Sequence, residues 1–93
     1  MPRRLVDPKY GPRLREVLAG RPLTAREAEV LVWAARGKTA EETGAVLFLS
    51  PETVRWYRKR ISAKLSADST THALAVALRD GIVSIEEVFG DGA

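Results

Sequence analysis

The chain has 93 residues, a formal net charge of +3 and no cysteine, so we expect one small domain that buries about 60–65% of its unfolded surface. The lack of cysteine excludes disulfides and thiolate metal sites, which fits a cytoplasmic protein. No apolar run approaches the ~20 residues that a membrane-spanning helix needs, and the polar N-terminus is not a signal peptide.

The first 21 residues are predicted to form a basic N-terminal arm. Two prolines favour an extended chain through residue 10. Residues 12–19 then have the spacing of a short helix with Leu14, Val17 and Leu18 turned inward.

Two capping boxes predict the starts of the next two helices. Thr24 with Glu27 begins a helix that runs to Gly37. Thr39 with Glu42 begins a shorter one. The two helices of a helix-turn-helix are joined by a turn of three or four residues. Since another predicted helix follows closely, this shorter helix is the candidate first helix of that motif, which we call the scaffold helix.

The next predicted helix is basic on one side and covers residues 50–65. Ser50 is its N-cap and Pro51 suits the first helical position. The apolar stripe comprises Val54, Ile61 and Leu65, with Tyr57 beside them. The opposite face carries Arg55, Trp56, Lys59, Arg60 and Ala63. A helix of this kind fits the DNA major groove.

A fourth helix of the domain follows the Ser69 N-cap and covers residues 70–80. Its small and apolar residues exceed what one core needs, so they indicate either a dimer contact or simple packing. The proposed dimer contacts are Ala73, Val76 and Ala77. Residues 84–93 form a short acidic C-terminal tail with one possible helical turn. Since no strand periodicity occurs, we expect an all-α fold.

Several motifs in order along the chain resemble the LuxR/GerE-type DNA-binding domain. They are LTAREAEVL at 23–31, GKT at 37–39, LSPETV at 49–54, KL at 64–65 and THALAVA at 71–77. The resemblance covers residues 22–83. It implies a four-helix helix-turn-helix domain whose third helix enters the major groove and whose fourth often mediates dimerisation. With 93 residues there is no room for an upstream sensory domain, so we expect the stand-alone GerE-like form.

Three residues depart from the family pattern. Gly44 lies in the scaffold helix where the family usually has alanine, and it permits close approach of the two helices. Arg58 replaces a commonly apolar residue, so it either extends to a phosphate or disturbs local packing. Trp56 is bulkier than the residue usually found at its position facing the groove.

By this resemblance the cationic face is the groove side. Arg55, Trp56 and Lys59 are then expected to contact base edges, because Arg and Lys bond guanine and an indole packs against a thymine methyl. The predicted phosphate contacts are Lys38, Thr39, Thr53, Tyr57, Arg58, Arg60 and Lys64. For Thr39 capping is an additional role, and for Thr53 and Tyr57 packing is an equal alternative.

The sequence therefore predicts a sequence-specific regulator of transcription that binds double-stranded DNA, as a homodimer and without cofactor or metal. The single histidine, His72, makes no credible zinc site, and no nucleophile–base pair indicates an enzyme. The alternative is a protein-interaction module on a helix-turn-helix scaffold that binds another regulator or RNA polymerase. Trp56, Arg58 and the apolar residues within 82–89 support that alternative.

Overall fold

The computed structural model describes residues 10–90, in which every regular element is an α-helix. The helices are α1 (Tyr10–Leu18), α2 (Ala25–Ala35), α3 (Ala40–Leu47), α4 (Pro51–Lys64), α5 (Thr70–Arg79) and α6 (Ile85–Phe89). The predicted all-α fold is confirmed. The predicted extended arm lies outside the described residues except at its end, where α1 begins two residues earlier than expected.

Local sequence signals account for the helix starts. The Thr24 hydroxyl accepts a hydrogen bond from the Glu27 N–H at 3.1 Å, and the Glu27 carboxylate accepts one from the Thr24 N–H at 2.8 Å. The same reciprocal pair forms between Thr39 and Glu42 at the start of α3. Both predicted capping boxes are confirmed, because each satisfies donors that the first helical turn leaves without a partner.

The core lies around α4, which packs against α1, α2, α3 and α5. Its stripe residues Val54 and Ile61 are almost fully buried, as predicted. They meet a set of small and branched side chains from the other helices and from the segments that connect them: Val30, Leu31, Ala40, Leu47, Ala67, Ala73, Ala77, Val83 and Val88. Burial on this side fixes which side of α4 faces outward.

A second, smaller cluster joins α1 to α4 and consists of Leu14, Leu18 and Ala63. The Arg15 guanidinium adds a hydrogen bond to the carbonyl of Ala67. Two expectations are therefore wrong. Val17 is 54% exposed instead of inward, and Ala63 is buried under α1 instead of lying on the open cationic face.

The turn between α3 and α4 requires a glycine. A Cβ added to Gly44 would overlap the carbonyl oxygen of Leu49, while the Leu49 N–H donates to the Gly44 carbonyl at 2.9 Å. The predicted close approach exists, but it is made to the turn backbone. Phe48 ends α3 in the left-handed conformation with φ of 60° and is 93% exposed.

None of the helices within residues 10–90 is long and apolar enough to cross a membrane.

Candidate nucleic-acid interface

The exposed side of α4 presents the three residues predicted to contact bases. Arg55, Trp56 and Lys59 are all exposed, with Trp56 at 51%. They lie within the first nine residues of α4, which begins directly after the turn that links it to α3. The structure thus brings together two cations and an indole on the open side of a helix-turn-helix, which is the arrangement that groove contacts require.

Arg55 is held by an acid from the neighbouring helix. Its Nη2 donates to Oε2 of Glu41 at 2.9 Å, and the two side chains are 54% and 64% exposed. The pKa of Glu41 is lowered, first by a hydrogen bond with its own backbone N–H near the start of α3 and then by Arg55. Lys59, in contrast, has no ion pair among residues 10–90.

Trp56 is oriented by its neighbours. Its ring lies 5.1 Å from that of Tyr57 at an interplanar angle of 71°, which is an edge-to-face contact. The Arg60 guanidinium lies 4.9 Å from the centre of the Trp56 ring, in a cation–π arrangement. Arg60 also donates from Nε to Oε2 of Glu27 at 3.3 Å. These contacts restrain Trp56 although half of its surface is open.

The predicted phosphate contact of Lys64 is wrong. Its side chain is only 6% exposed, and its Nζ donates to Oε1 of Glu27 at 2.7 Å and to the Pro22 carbonyl at 3.0 Å. An ammonium group that is buried in an ion pair has no free surface for a phosphate. Sequence patterns predict only a capping role for Glu27, its acidic partner.

Glu27 is the centre of this buried network and is 1% exposed. Burial by itself raises the pKa of Glu27, but hydrogen bonds from Lys64, the Thr24 N–H and Arg60 outweigh it, so that the pKa is lowered. The carboxylate is therefore charged, and each of its oxygens accepts at least one hydrogen bond. No local pattern indicates this role, because Lys64 lies 37 positions further along the chain.

Of the remaining predicted phosphate contacts, some side chains are exposed and others are partly buried. Lys38 and Thr39 are exposed at the start of α3. Arg58 is partly buried and its Nη2 donates to the Lys38 carbonyl at 2.9 Å, which ties α4 to the start of α3. Thr53 and Tyr57 are also partly buried, and the Thr53 hydroxyl accepts from the Ser50 hydroxyl at 2.9 Å.

Two of the three predicted dimer contacts are wrong. Ala73 and Ala77 have no exposed surface because they pack in the main core. They are four residues apart and so lie on the same side of α5, which is the side facing α2 and α4. Val76 is partly exposed and lines a surface groove with Arg79 and Ile82.

A cleft beside α4 adds a cation that the sequence-based prediction did not assign. It measures about 440 Å³ and lies between α1, α4 and the start of α5. Arg15, Arg55 and Lys59 line it together with the hydroxyl-bearing residues Ser69 and Thr70. Arg15 reaches this place only because α1 packs on Ala63, so local sequence patterns carry no signal for it.

Nothing in residues 10–90 resembles a metal site, since no group of three His, Asp or Glu side chains converges there. His72 accepts a hydrogen bond at Nδ1 from the Asp68 N–H at 3.3 Å, near the start of α5.

The family profile described as "Bacterial regulatory proteins, luxR family" matches residues 21–77, a range that contains α2, α3, α4 and most of α5. The chain belongs to the luxR family. Membership of this family confirms the predicted resemblance and the helix-turn-helix fold.

Curated luxR-type relatives match most of this chain. The transcriptional activator protein BjaR1 of Bradyrhizobium diazoefficiens is 38% identical over 82 residues, which are 88% of this chain and 31% of the relative. The quorum sensing-dependent transcriptional regulator RpaR of Rhodopseudomonas palustris is 38% identical over 78% of this chain and 32% of its own length. The transcriptional activator SolR of Ralstonia nicotianae is 41% identical over 66% and 26%, respectively.

The chain thus spans about a third or less of the length of these luxR-type relatives. No solved structure matches it significantly.

Proposed function

We propose that this chain regulates transcription by inserting the exposed side of α4 into the major groove of a specific double-stranded DNA site. The observation that carries the proposal is the placement of Arg55, Trp56 and Lys59 together on the open side of α4, within the part of the chain that matches the luxR family. Relatives named as transcriptional activators support the same role.

Each side chain has a distinct task in this proposal. Arg55 and Lys59 donate to guanine O6 and N7, and Trp56 packs against a thymine methyl or a sugar. Lys38 and Thr39 meet a phosphate near the start of α3, where the helix dipole favours an anion. Phosphate contacts by Arg60 and Arg58 require that these residues exchange or share their present bonds to Glu27 and Lys38.

We also propose that two copies bind one site in the cytoplasm. A single module of this size buries roughly 600–1,000 Å² on DNA, so that a symmetric pair reading two half-sites gains affinity and length of site. After Ala73 and Ala77 are excluded, Val76 is the one predicted contact that remains, and we add Ile82, which lines the same groove, and the exposed Ala75 to the dimer surface.

A protein-interaction role is the second candidate, and exposed apolar residues favour it. Ile85 and Phe89 on α6 are 60% and 61% exposed, in addition to the half-exposed Trp56. In that role the chain binds RNA polymerase or another regulator through these side chains. Such a complex depends on Trp56, Ile85 or Phe89, whereas DNA binding does not depend on the two α6 residues.

Selection from a random duplex DNA pool at physiological salt tests the proposed function. We expect an enriched site whose affinity for the protein falls steeply as salt is raised, because lysine and arginine side chains that contact phosphates release counterions from the DNA. Lys59→Ala is expected to weaken binding to that site by about 1–3 kcal/mol and to relax the preference at one base pair. Arg26→Gln, which removes one cation from α2, is the control and keeps the base preference.

The form of the selected site decides between one copy and two. An inverted repeat supports the dimer, and a single half-site retains base reading while removing the dimer. No enrichment contradicts DNA reading. In that case loss of a polymerase complex in Phe89→Ala would support the interaction role.

A further inference from the structure

Glu41 is an exposed acid that is bonded to Arg55, one of the cations proposed to read bases. It lies in the first turn of α3, and its bond to Arg55 joins the two helices of the helix-turn-helix. The pair is more than half exposed on both sides, so solvent screens it and a competing partner can reach either group. A carboxylate at this place opposes a polyanion such as DNA unless its charge is matched.

The bond leaves Arg55 able to read a base. A guanidinium has five N–H donors. The bond to Glu41, from Nη2 at 2.9 Å, uses one of them. Among residues 10–90 no other acceptor bonds the remaining donors, which are available to the two acceptors of a guanine. A side chain that is already restrained also loses less rotamer freedom when it binds.

We propose that Glu41 is a specificity-determining residue, which positions Arg55 for base reading and opposes DNA on which Arg55 finds no base partner. This inference rests on the proposed function. On the selected site, the Arg55 guanidinium lies between the carboxylate and the base and offsets the repulsion. On other DNA, Arg55 keeps its bond to Glu41 but finds no base acceptor, so no base contact offsets the repulsion between the carboxylate and the phosphates, and binding is weakened selectively.

The test compares the affinity of each variant for the selected duplex and for a duplex of the same composition in shuffled order. Glu41→Gln is expected to raise the affinity for the shuffled duplex and to leave that for the selected duplex unchanged or lower. The preference for the selected duplex should then fall by about two- to fivefold, the range of one exposed ion pair. Glu41→Asp keeps the charge but is shorter, so it should weaken only the selected complex.

Two controls isolate the role of the pair. Glu29→Gln breaks a similarly exposed ion pair, with Arg26 at 3.2 Å on α2, and should leave the preference unchanged. In an Arg55→Ala background, Glu41→Gln should no longer alter the preference. Thermal melting of each variant verifies that it is folded.

The inference is overturned if Glu41→Gln changes both affinities by the same factor. It is also overturned if the loss of preference persists without Arg55, since Glu41 then acts on the DNA independently of that arginine. A wild-type chain that does not distinguish the two duplexes contradicts the proposed function itself, so the two failures are separate results.

Discussion

At the scale of single residues, Glu27 shows how one buried charge is retained. Its carboxylate accepts hydrogen bonds from the Thr24 N–H, Lys64 and Arg60, so both of its oxygens have a donor. A buried ion pair lacking such bonds is strongly destabilising, because the desolvation of both charges is then not compensated. The network joins the start of α2 to the end of α4 and so helps to set the orientation of the proposed reading helix.

The lowered pKa of Glu27 predicts a dependence of stability on pH. A folded-state pKa below the ordinary value of 4.5 means that folding favours the ionised form. Its stabilising contribution is therefore complete above that value and is lost as the pH falls through the lowered folded-state pKa. Urea denaturation at a series of pH values should show this loss in the wild type.

Glu27→Gln is the corresponding variant. It should be less stable than the wild type at neutral pH, because Lys64 is left buried without an anion. Its stability should fall less steeply in acid. An unchanged acid dependence in this variant would contradict the role assigned to Glu27.

At the scale of elements, the α3–α4 turn depends on backbone geometry. Gly44 lets the Leu49 carbonyl approach the α3 backbone, and the Leu49 N–H closes the turn. Phe48 adopts the left-handed conformation, which is unfavourable for a residue with a Cβ. The turn sets the angle between scaffold and reading helices, so these residues act on the interface without belonging to it.

We predict that Gly44→Ala lowers the free energy of unfolding by about 2 kcal/mol or more, because overpacking displaces the turn backbone. In an open helix the same change would be stabilising by about 1 kcal/mol, so the sign of the effect is informative. Ala45→Gly, at an exposed neighbouring position, is the control and should be destabilising by ~1 kcal/mol through helix propensity alone. Chemical denaturation measures both, and a stabilised Gly44→Ala would refute the close contact.

At the scale of the whole molecule, α4 is covered on one side by α2, α3 and α5 and on another by α1. The contact with α1 has its own small cluster, separate from the main core. It buries Ala63 and brings Arg15 to the cleft beside Arg55 and Lys59. The N-terminal helix therefore limits how much of α4 is open and adds a cation at the edge of the proposed interface.

The separate cluster predicts that α1 opens as a unit of its own. Leu18→Ala should weaken the docking of α1 by about 2 kcal/mol, at the low end for a buried leucine because the cluster is small. Amide hydrogen exchange should become faster within α1 while the amides around Val30 and Leu31 in α2 keep most of their protection. Equal loss of protection in both helices would show that α1 and the core unfold together.

The sequence by itself determined the features that depend on neighbouring residues. The capping boxes at Thr24 and Thr39, the Ser50 N-cap and the apolar stripe of α4 all form between residues within a few positions of each other. Hydrogen bonds and helical periodicity at that range depend on neighbouring residues and not on which distant segments meet. Hence the all-α fold, the helix-turn-helix and the exposure of Arg55, Trp56 and Lys59 could be predicted.

Only the tertiary structure decided which side chains remain available. Lys64 is buried in an ion pair with Glu27, and Ala63 is covered by α1. Ala73 and Ala77 pack in the main core. Glu41 meets Arg55 across 14 positions of sequence. A helical pattern shows that two residues share a side, but the packing of other helices determines which side is buried and which charges meet.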